Sequence, residues 1–213
     1  MPSCLDGPVA KLVTWSQYRA SIGDRSTLFA QVAEACSIDR VLYPGSYVDL
    51  SPSTAFASVV YVDTDSRAQR FFADSELVGR ELAGRTRPGA GTQVRFIGAD
   101  YTVPLDLPHA HVDLLISLYA GPVWEHCGRH LRPGGWLLAN ASHGDASLAA
   151  LDPRLRLVAA VHHRHGRYQF VTHGLDRYLV PKDPGGVNVD RIRATGRGVA
   201  YTQPAFAYLF EHA

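Results

Sequence analysis

The sequence has few cysteines, little net charge and no long apolar run. Its three cysteines, Cys4, Cys36 and Cys127, are odd in number and widely spaced, so they predict neither a disulfide framework nor a CxxC metal motif. A formal net charge of +1 gives no electrostatic reason to expect nucleic acid or a membrane surface as partner. Without an apolar stretch of about 18 residues or a signal-peptide pattern, we expect a cytoplasmic protein in a reducing compartment.

Several catalytic and nucleotide-binding motifs are also missing. The sequence contains no GxSxG elbow, no HExxH zinc motif, no GxGxxG fingerprint and no GxxxxGK loop. Ten histidines are present, but neither His126 with His130 nor His162, His163 and His165 gains a further ligand at a convincing spacing. We therefore expect no metal site.

Short apolar runs alternate with helical patterns along most of the chain, and this alternation is typical of βαβ units with a parallel sheet. Beyond residue 154 three further strand patterns follow without a clear helix between the first two. These patterns predict an α/β fold with a doubly wound, mostly parallel sheet and antiparallel C-terminal strands. The predicted helices are 26–37, 66–83 with a break near Asp74, and 122–131; the predicted strands are 40–43, 57–62, 93–97, 112–118, 136–140, 155–163, 167–172 and 205–211.

The chain is expected to form a single domain over residues 1–213. It would comprise N-terminal helices in 1–37, a nucleoside-binding core in 38–142, and C-terminal antiparallel strands with a loop in 143–213. The Gly- and Pro-rich stretch 181–200 is either a mobile loop over the site or a short helix with flexible flanks. Trp15 and Tyr18 would either cover the site as a lid or dock a helix onto the core.

The loop after the first predicted strand is the main candidate for ligand binding, because open α/β sheets bind ligands at the carboxyl ends of their strands. Gly45 permits a sharp turn there, and Asp63 ends the next strand 18 residues later. That spacing suits a carboxylate that accepts hydrogen bonds from the two hydroxyls of a ribose. Alternatively, Asp63 caps the following helix together with Asp65 or Ser66.

Five segments together resemble the class I S-adenosylmethionine-dependent methyltransferases over roughly residues 26–142. The resemblance implies a seven-stranded Rossmann-like sheet of order 3-2-1-4-5-7-6 and S-adenosylmethionine as cofactor. YPGSYVDLSPS, which starts at Tyr43, also looks like an uncharacterised methyltransferase-like branch. The segments are Arg40–Gly45, Val59–Asp65 (VVYVDTD), Phe96–Tyr101 (FIGADY), Asp113–Tyr119 (DLLISLY) and Leu131–Gly135 (LRPGG), the last as the turn before strand five.

Carried over by position, the resemblance assigns a cofactor role to residues of four loops. Asp63 with Thr64 would hold the ribose, and Asp100 and Tyr101 would flank the adenine. Ser117, Leu118 and Tyr119 would face the methionine end. As alternatives, Asp100 starts a turn, and Ser117 and Tyr119 are buried and satisfied by backbone groups. The first-motif residues of the site are Tyr43, Pro44, Gly45, Ser46 and Tyr47.

The first motif departs from the pattern of the family. Tyr43 takes the position of its acid, and Tyr47 and Asp49 take those of later glycines. We expect the bulky side chains to crowd the amino-acid tail of the cofactor, or the loop to follow another course.

For catalysis the candidates are Tyr119, just past the fourth strand, and His143, which follows the fifth. Histidine exchanges protons near neutral pH, although His143 is also explained as an ordinary loop residue. The predicted function is methyl transfer to an unidentified small molecule, with a homodimer left open. The alternatives are a catalytically silent ligand- or partner-binding domain and, less favoured without GxGxxG, an NAD-dependent oxidoreductase.

Overall fold

The computed structural model describes residues 13–86 and 91–213. Cys4, Arg87 and part of the loop 84–92 lie outside the described residues. One eight-stranded sheet runs through the described chain, in the order β3-β2-β1-β4-β5-β8-β6-β7. The strands are β1 (Arg40–Pro44), β2 (Ser58–Val62), β3 (Gln93–Ile97), β4 (Val112–Ser117), β5 (Leu131–Ala139), β6 (Leu155–Arg164), β7 (Arg167–Val171) and β8 (Ala207–His212).

The first five strands are parallel, so their carboxyl ends meet along one edge of the sheet. β8 lies antiparallel between β5 and β6, and β7 pairs antiparallel with β6 at the edge. The order confirms the α/β fold that the resemblance implies. The sheet has eight strands rather than seven because the hairpin of β6 and β7 adds an edge strand.

Helices cover both faces of the sheet, and the strands alternate their side chains between two hydrophobic clusters. Along β1, Val41 and Tyr43 join the cluster that contains α1 to α4, whereas Leu42 joins the cluster of α5 and α6. All six residues of β4 are buried, as a central parallel strand requires. The helices are α1 (Trp15–Ile22), α2 (Ser26–Ala35), α3 (Ser66–Ala73), α4 (Ser75–Leu82), α5 (Val123–Cys127), α6 (Asp145–Leu151) and α7 (Val189–Thr195).

Aspartates set the local boundaries of α3 and α4. Asp65 caps α3 by accepting from the Arg67 N–H, and Asp74 caps α4 by accepting from the Leu77 N–H. The break predicted near Asp74 is therefore confirmed, since its side chain satisfies an N–H that the start of a new helix leaves free.

Two predicted boundaries were wrong, and one helix was not predicted. LRPGG is not a turn before strand five but part of β5, where the register with β4 shifts between Val112 and Leu114. The helix expected over 122–131 ends at Cys127 and continues only as a 3₁₀ turn, Gly128–His130. Helix α6, which the sequence did not suggest, follows β5 after the 3₁₀ turn Ser142–Gly144.

The stretch 181–200 contains a short helix with irregular flanks, the second of the two predicted forms. It packs beside α6, where a Cβ on Gly144 would lie 2.6 Å from Cγ2 of Ile192. At the other end of the chain, Trp15 is fully buried, so α1 is docked on the core. Within the two described ranges, no helix is both long and apolar enough to cross a bilayer.

Candidate functional site

The predicted carboxylate lies beside the predicted loop. β1 and β2 are adjacent and in register, which brings their following residues together at the carboxyl edge. The N–H of Tyr47 donates to Oδ2 of Asp63 at 2.7 Å, and the N–H of Asp65 donates to Oδ1 at 2.8 Å. Because Asp65 fills the cap of α3, Asp63 is left partly exposed at the edge.

The first loop retains the backbone shape that glycines favour, although only one glycine is present. Gly45 has φ +65° and Tyr47 has φ +48°, both in the left-handed region. The Tyr47 ring packs edge-on against Tyr18, with centroids 5.0 Å apart, and under the guanidinium of Arg67 at 5.1 Å. The loop therefore accommodates the tyrosine by turning its ring onto α1 and α3.

Gly45 serves the packing of two loops. A Cβ at this position would lie 2.7 Å from Cβ of Ala120, in the loop after β4. Such a distance is not compatible with van der Waals contact, so only glycine fits here. The first loop and the β4 loop consequently touch at the point where the resemblance places the amino-acid tail of the cofactor.

Behind the first loop lies a buried ionic network that sequence reasoning did not anticipate. Arg25 Nη1 is 3.0 Å from Asp49 Oδ2, and the Tyr43 hydroxyl donates to the same oxygen at 3.3 Å. The N–H and hydroxyl of Ser51 donate to Oδ1 of Asp49. Burial, together with the Asp49 charge, raises the pKa of Tyr43 well above its ordinary value. Tyr43 and Asp49 thus hold the loop in place from its buried side.

The three remaining cofactor candidates near β1 and β2 differ in accessibility. Pro44, at the end of β1, and Ser46, in the first loop, are buried, whereas Thr64 is exposed beside Asp63. The buried residues can influence a ligand only through the backbone they support, and the exposed one through its side chain.

The β3 loop reaches across to the β4 loop. The Tyr101 hydroxyl accepts a hydrogen bond from the Gly121 N–H at 2.8 Å, and burial raises the pKa of this hydroxyl. Asp100 is exposed and accepts from both the N–H and the hydroxyl of Thr102, as in a turn. Tyr101 therefore bridges the two loops, while Asp100 keeps an exposed carboxylate at the edge.

At the end of β4 the chain presents one exposed aromatic ring. Ser117 and Leu118 are buried, but Tyr119 is 52% exposed and has φ +61°. The guanidinium of Arg25 lies 5.0 Å from its ring centroid, and the Phe206 ring packs edge-on against it with centroids 6.4 Å apart. A non-glycine residue held at positive φ stores strain, and such residues cluster at ligand sites.

His143 follows β5 at the same edge, also with a positive φ of +56°. Its side chain is exposed, in the 3₁₀ turn Ser142–Gly144 that precedes α6. Tyr119 and His143 thus both stand in strained loops at the carboxyl ends of adjacent strands.

Asp145 is a buried acid that sequence reasoning missed. Its Oδ1 accepts from the Trp124 N–H at 3.3 Å, and the residue is fully buried. Burial raises the pKa of this carboxyl to about 7. The sequence places this acid shortly after the fifth strand, in SHGD, but nothing in the local sequence indicates that it is buried.

The described part of the chain shows no group of three or more histidine, cysteine, aspartate or glutamate side chains suited to a metal ion. The histidines instead pair with aromatic and backbone groups. His163 stacks on Tyr168 at 4.3 Å, and His130 Nδ1 is 3.0 Å from the Pro108 carbonyl oxygen.

No protein-family profile matches the chain, and no curated protein does. Solved structures are similar to it, and methyltransferases are among them. A protein from Corynebacterium glutamicum is 14% identical, with a TM-score of 0.48 over 68% of this chain and 82% of that one. A methyltransferase from Geobacter sulfurreducens is 17% identical, with a TM-score of 0.47 over 68% and 80%. Phosphoethanolamine N-methyltransferase 1 from Haemonchus contortus, solved with S-adenosylhomocysteine, is 14% identical, with a TM-score of 0.38 over 60% and 30%.

Proposed function

We propose that the carboxyl edge of β1 to β4 binds S-adenosylmethionine and that the protein transfers its methyl group to a small molecule. The observation that carries the proposal is the hydrogen bond from the Tyr47 N–H to Asp63. It joins the carboxylate to the first loop at the edge where ligands bind in doubly wound sheets.

The residues at the nucleoside end fit this cofactor. Each oxygen of Asp63 accepts one backbone hydrogen bond and keeps lone pairs for further donors. A ribose diol supplies two such donors, and hydrogen bonds to an ionised acceptor are the stronger kind. Asp63 and Thr64 would hold the ribose, and Asp100 and Tyr101 would flank the base.

Bound S-adenosylmethionine supplies an electrophilic methyl group, so the chain mainly has to position an acceptor. The exposed ring of Tyr119, supported by Arg25 and Phe206, offers a surface on which an acceptor would lie. His143, exposed at the next strand end, would take up a proton from the acceptor at a ring nitrogen.

A second candidate function is ligand binding without methyl transfer. It is favoured by the contact between Gly45 and Ala120, which closes the space where the resemblance places the amino-acid tail. In this case the edge would hold a nucleoside, but its site would lack room for the methionine part.

Calorimetric titration with S-adenosylhomocysteine, adenosine and NAD separates these functions. The first proposal expects S-adenosylhomocysteine to bind more tightly than adenosine. Equal affinity for both would support binding of a nucleoside alone, and tighter binding of NAD would indicate an oxidoreductase. Binding of none of the three would contradict a nucleoside site of any kind.

A further inference from the structure

A cavity of about 380 Å³ lies far from this edge, beneath residues 175–201, which we name the cover segment. Its floor consists of Ala150 and Leu151 from α6, Leu155 and Leu157 from β6, and Phe210 from β8. The cover segment forms the rest of the wall. Small-molecule sites in proteins have volumes in this range, roughly 300–1,000 Å³.

The side chains that line this cavity are mostly apolar. Its only side-chain polar atoms are the hydroxyls of Tyr178 and Tyr201, and both have partners elsewhere. Tyr178 is 2.8 Å from Nε2 of His162, and Tyr201 donates to the Ser147 hydroxyl at 2.9 Å. No side chain of the wall is therefore left to recognise a polar group, and the cavity favours a hydrocarbon.

Hydrogen bonds and an ion pair hold the cover segment around the cavity, and its side chains do not fill the cavity. The Lys182 N–H donates to the Ala200 carbonyl, and the Val199 N–H donates to the Ser147 hydroxyl. Arg193 pairs with Glu125 at 2.6 Å. Leu179, which precedes these contacts in the cover segment, has φ +57°. Protein interiors are normally close-packed, so an apolar space that the cover leaves unfilled offers dispersion contacts to a ligand.

A basic cavity of about 320 Å³ adjoins the apolar one, and Val199 lines both. Lys182, Arg191 and Arg197 line it, with Asp183 as the acidic group. None of the three cations forms an ion pair with a carboxylate of the described residues. Three unpaired cations beside an apolar cavity suit an anion that is attached to a hydrocarbon.

We propose that the cover segment binds an alkyl carboxylate, with its chain in the apolar cavity and its head group among Lys182, Arg191 and Arg197. The proposal does not rest on the methyltransferase function. Asp63 follows β2, whereas this cavity lies over β8 and β6, beyond three intervening strands of the sheet.

Decanoate and decanol are the probes that test the proposal, by calorimetric titration below the concentration at which either aggregates. We expect one decanoate to bind per chain, at least tenfold more tightly than decanol. No binding of decanoate, or equal affinity for the two probes, would overturn the proposal.

Two variants locate the site. Val187→Trp places a large side chain in the apolar cavity from an irregular loop. It should weaken the binding of both decanoate and decanol at least tenfold. The double change Lys182→Gln with Arg191→Gln should reduce decanoate affinity to that of decanol and leave decanol unchanged. Arg164→Gln with Arg167→Gln, which removes two exposed cations from the β6–β7 hairpin, is the charge-matched control and should change the affinity for neither probe.

An unchanged melting temperature shows that Val187→Trp has folded; should it not fold, Leu157→Phe fills the same cavity from β6. Decanoate binding that survives a folded cavity-filling variant would contradict the location proposed here.

Discussion

The backbone N–H of Tyr47 donates to Oδ2 of Asp63 at 2.7 Å, although Tyr47 has a φ of +48° that few residues other than glycine adopt. The position therefore keeps the backbone role of a glycine and adds a ring, which packs on Tyr18 and Arg67. Because Tyr47 contributes only its backbone N–H to this hydrogen bond, we expect the bond to remain when the ring is removed.

Tyr47→Gly tests what the ring does. Glycine relieves the backbone strain, about 1 kcal/mol, and removes a bulky group beside the proposed ribose site. We expect affinity for S-adenosylhomocysteine to rise roughly fivefold, measured by calorimetry. Weaker binding would instead make the ring a ligand contact.

Gly45→Ala tests the contact between the first loop and the β4 loop. The new Cβ would lie 2.7 Å from that of Ala120, so denaturant unfolding should show a loss of about 2–4 kcal/mol from clash and backbone strain. Gly196→Ala is the matched control, since Gly196 has φ +59° and no atom within 4 Å of a built Cβ. It should lose only about 1 kcal/mol.

Adding Ala120→Gly to Gly45→Ala should restore the part of the loss that comes from the clash. Equal losses of unfolding free energy in Gly45→Ala and Gly196→Ala would show that the two loops do not touch as described.

Asp49→Asn tests the buried network. It leaves the Arg25 guanidinium, which is 5% exposed, without its carboxylate, and we expect a loss of about 3–5 kcal/mol of unfolding free energy. Glu76→Gln breaks the exposed pair with Arg80 and should change stability by less than about 0.5 kcal/mol. Similarly small changes in unfolding free energy for Asp49→Asn and Glu76→Gln would mean that Arg25 becomes hydrated or pairs with another group.

Asp145 predicts a pH dependence of stability. Burial raises the pKa of its carboxyl to about 7 in the folded state, above its ordinary value of 3.8. The folded state thus holds the proton more tightly than the unfolded state. The stabilisation from this group is complete below about pH 4 and is lost as the pH rises towards 7.

Asp145→Asn should remove that dependence and stabilise the protein at about pH 8 by roughly 1–4 kcal/mol. Unfolding free energies of both proteins across this range provide the measurement. Asp190→Asn, at an exposed position of α7, should leave the pH profile of the original protein unchanged. A wild-type profile that is parallel to that of Asp145→Asn would contradict a raised pKa.

Much of the sheet could be predicted from the sequence because its signals are local. VDLLIS reads as a buried strand since both of its faces are covered, and Asp74 interrupts its helix through its own side chain. Helix α6 escaped notice because it is only seven residues long and begins without a side-chain cap. LRPGG resembled a turn because its Pro and Gly usually mark one, but the neighbouring strand β4 draws it into a bulged strand.

The site was harder to predict, because its decisive contacts join distant residues. The proximity of Asp63 to the first loop follows from adjacent parallel strands, so spacing alone suggested it. The pairing of Arg25 with Asp49 and the contact of Gly45 with Ala120 depend on how α2 and the β4 loop pack, which no local pattern encodes. The burial of Asp145 has the same origin.

The affinity of the Asp63→Ala variant for S-adenosylhomocysteine tests the central claim most directly. Loss of the charge-assisted hydrogen bonds to the ribose should weaken binding by about 1–3 kcal/mol relative to the original protein. Asp63→Asn keeps one carbonyl acceptor, for one of the two N–H groups that Asp63 binds, and controls for loop disorder; it should lose less stability than Asp63→Ala and still bind more weakly than the original protein. Affinity unchanged in both folded variants would show that this carboxylate holds no nucleoside.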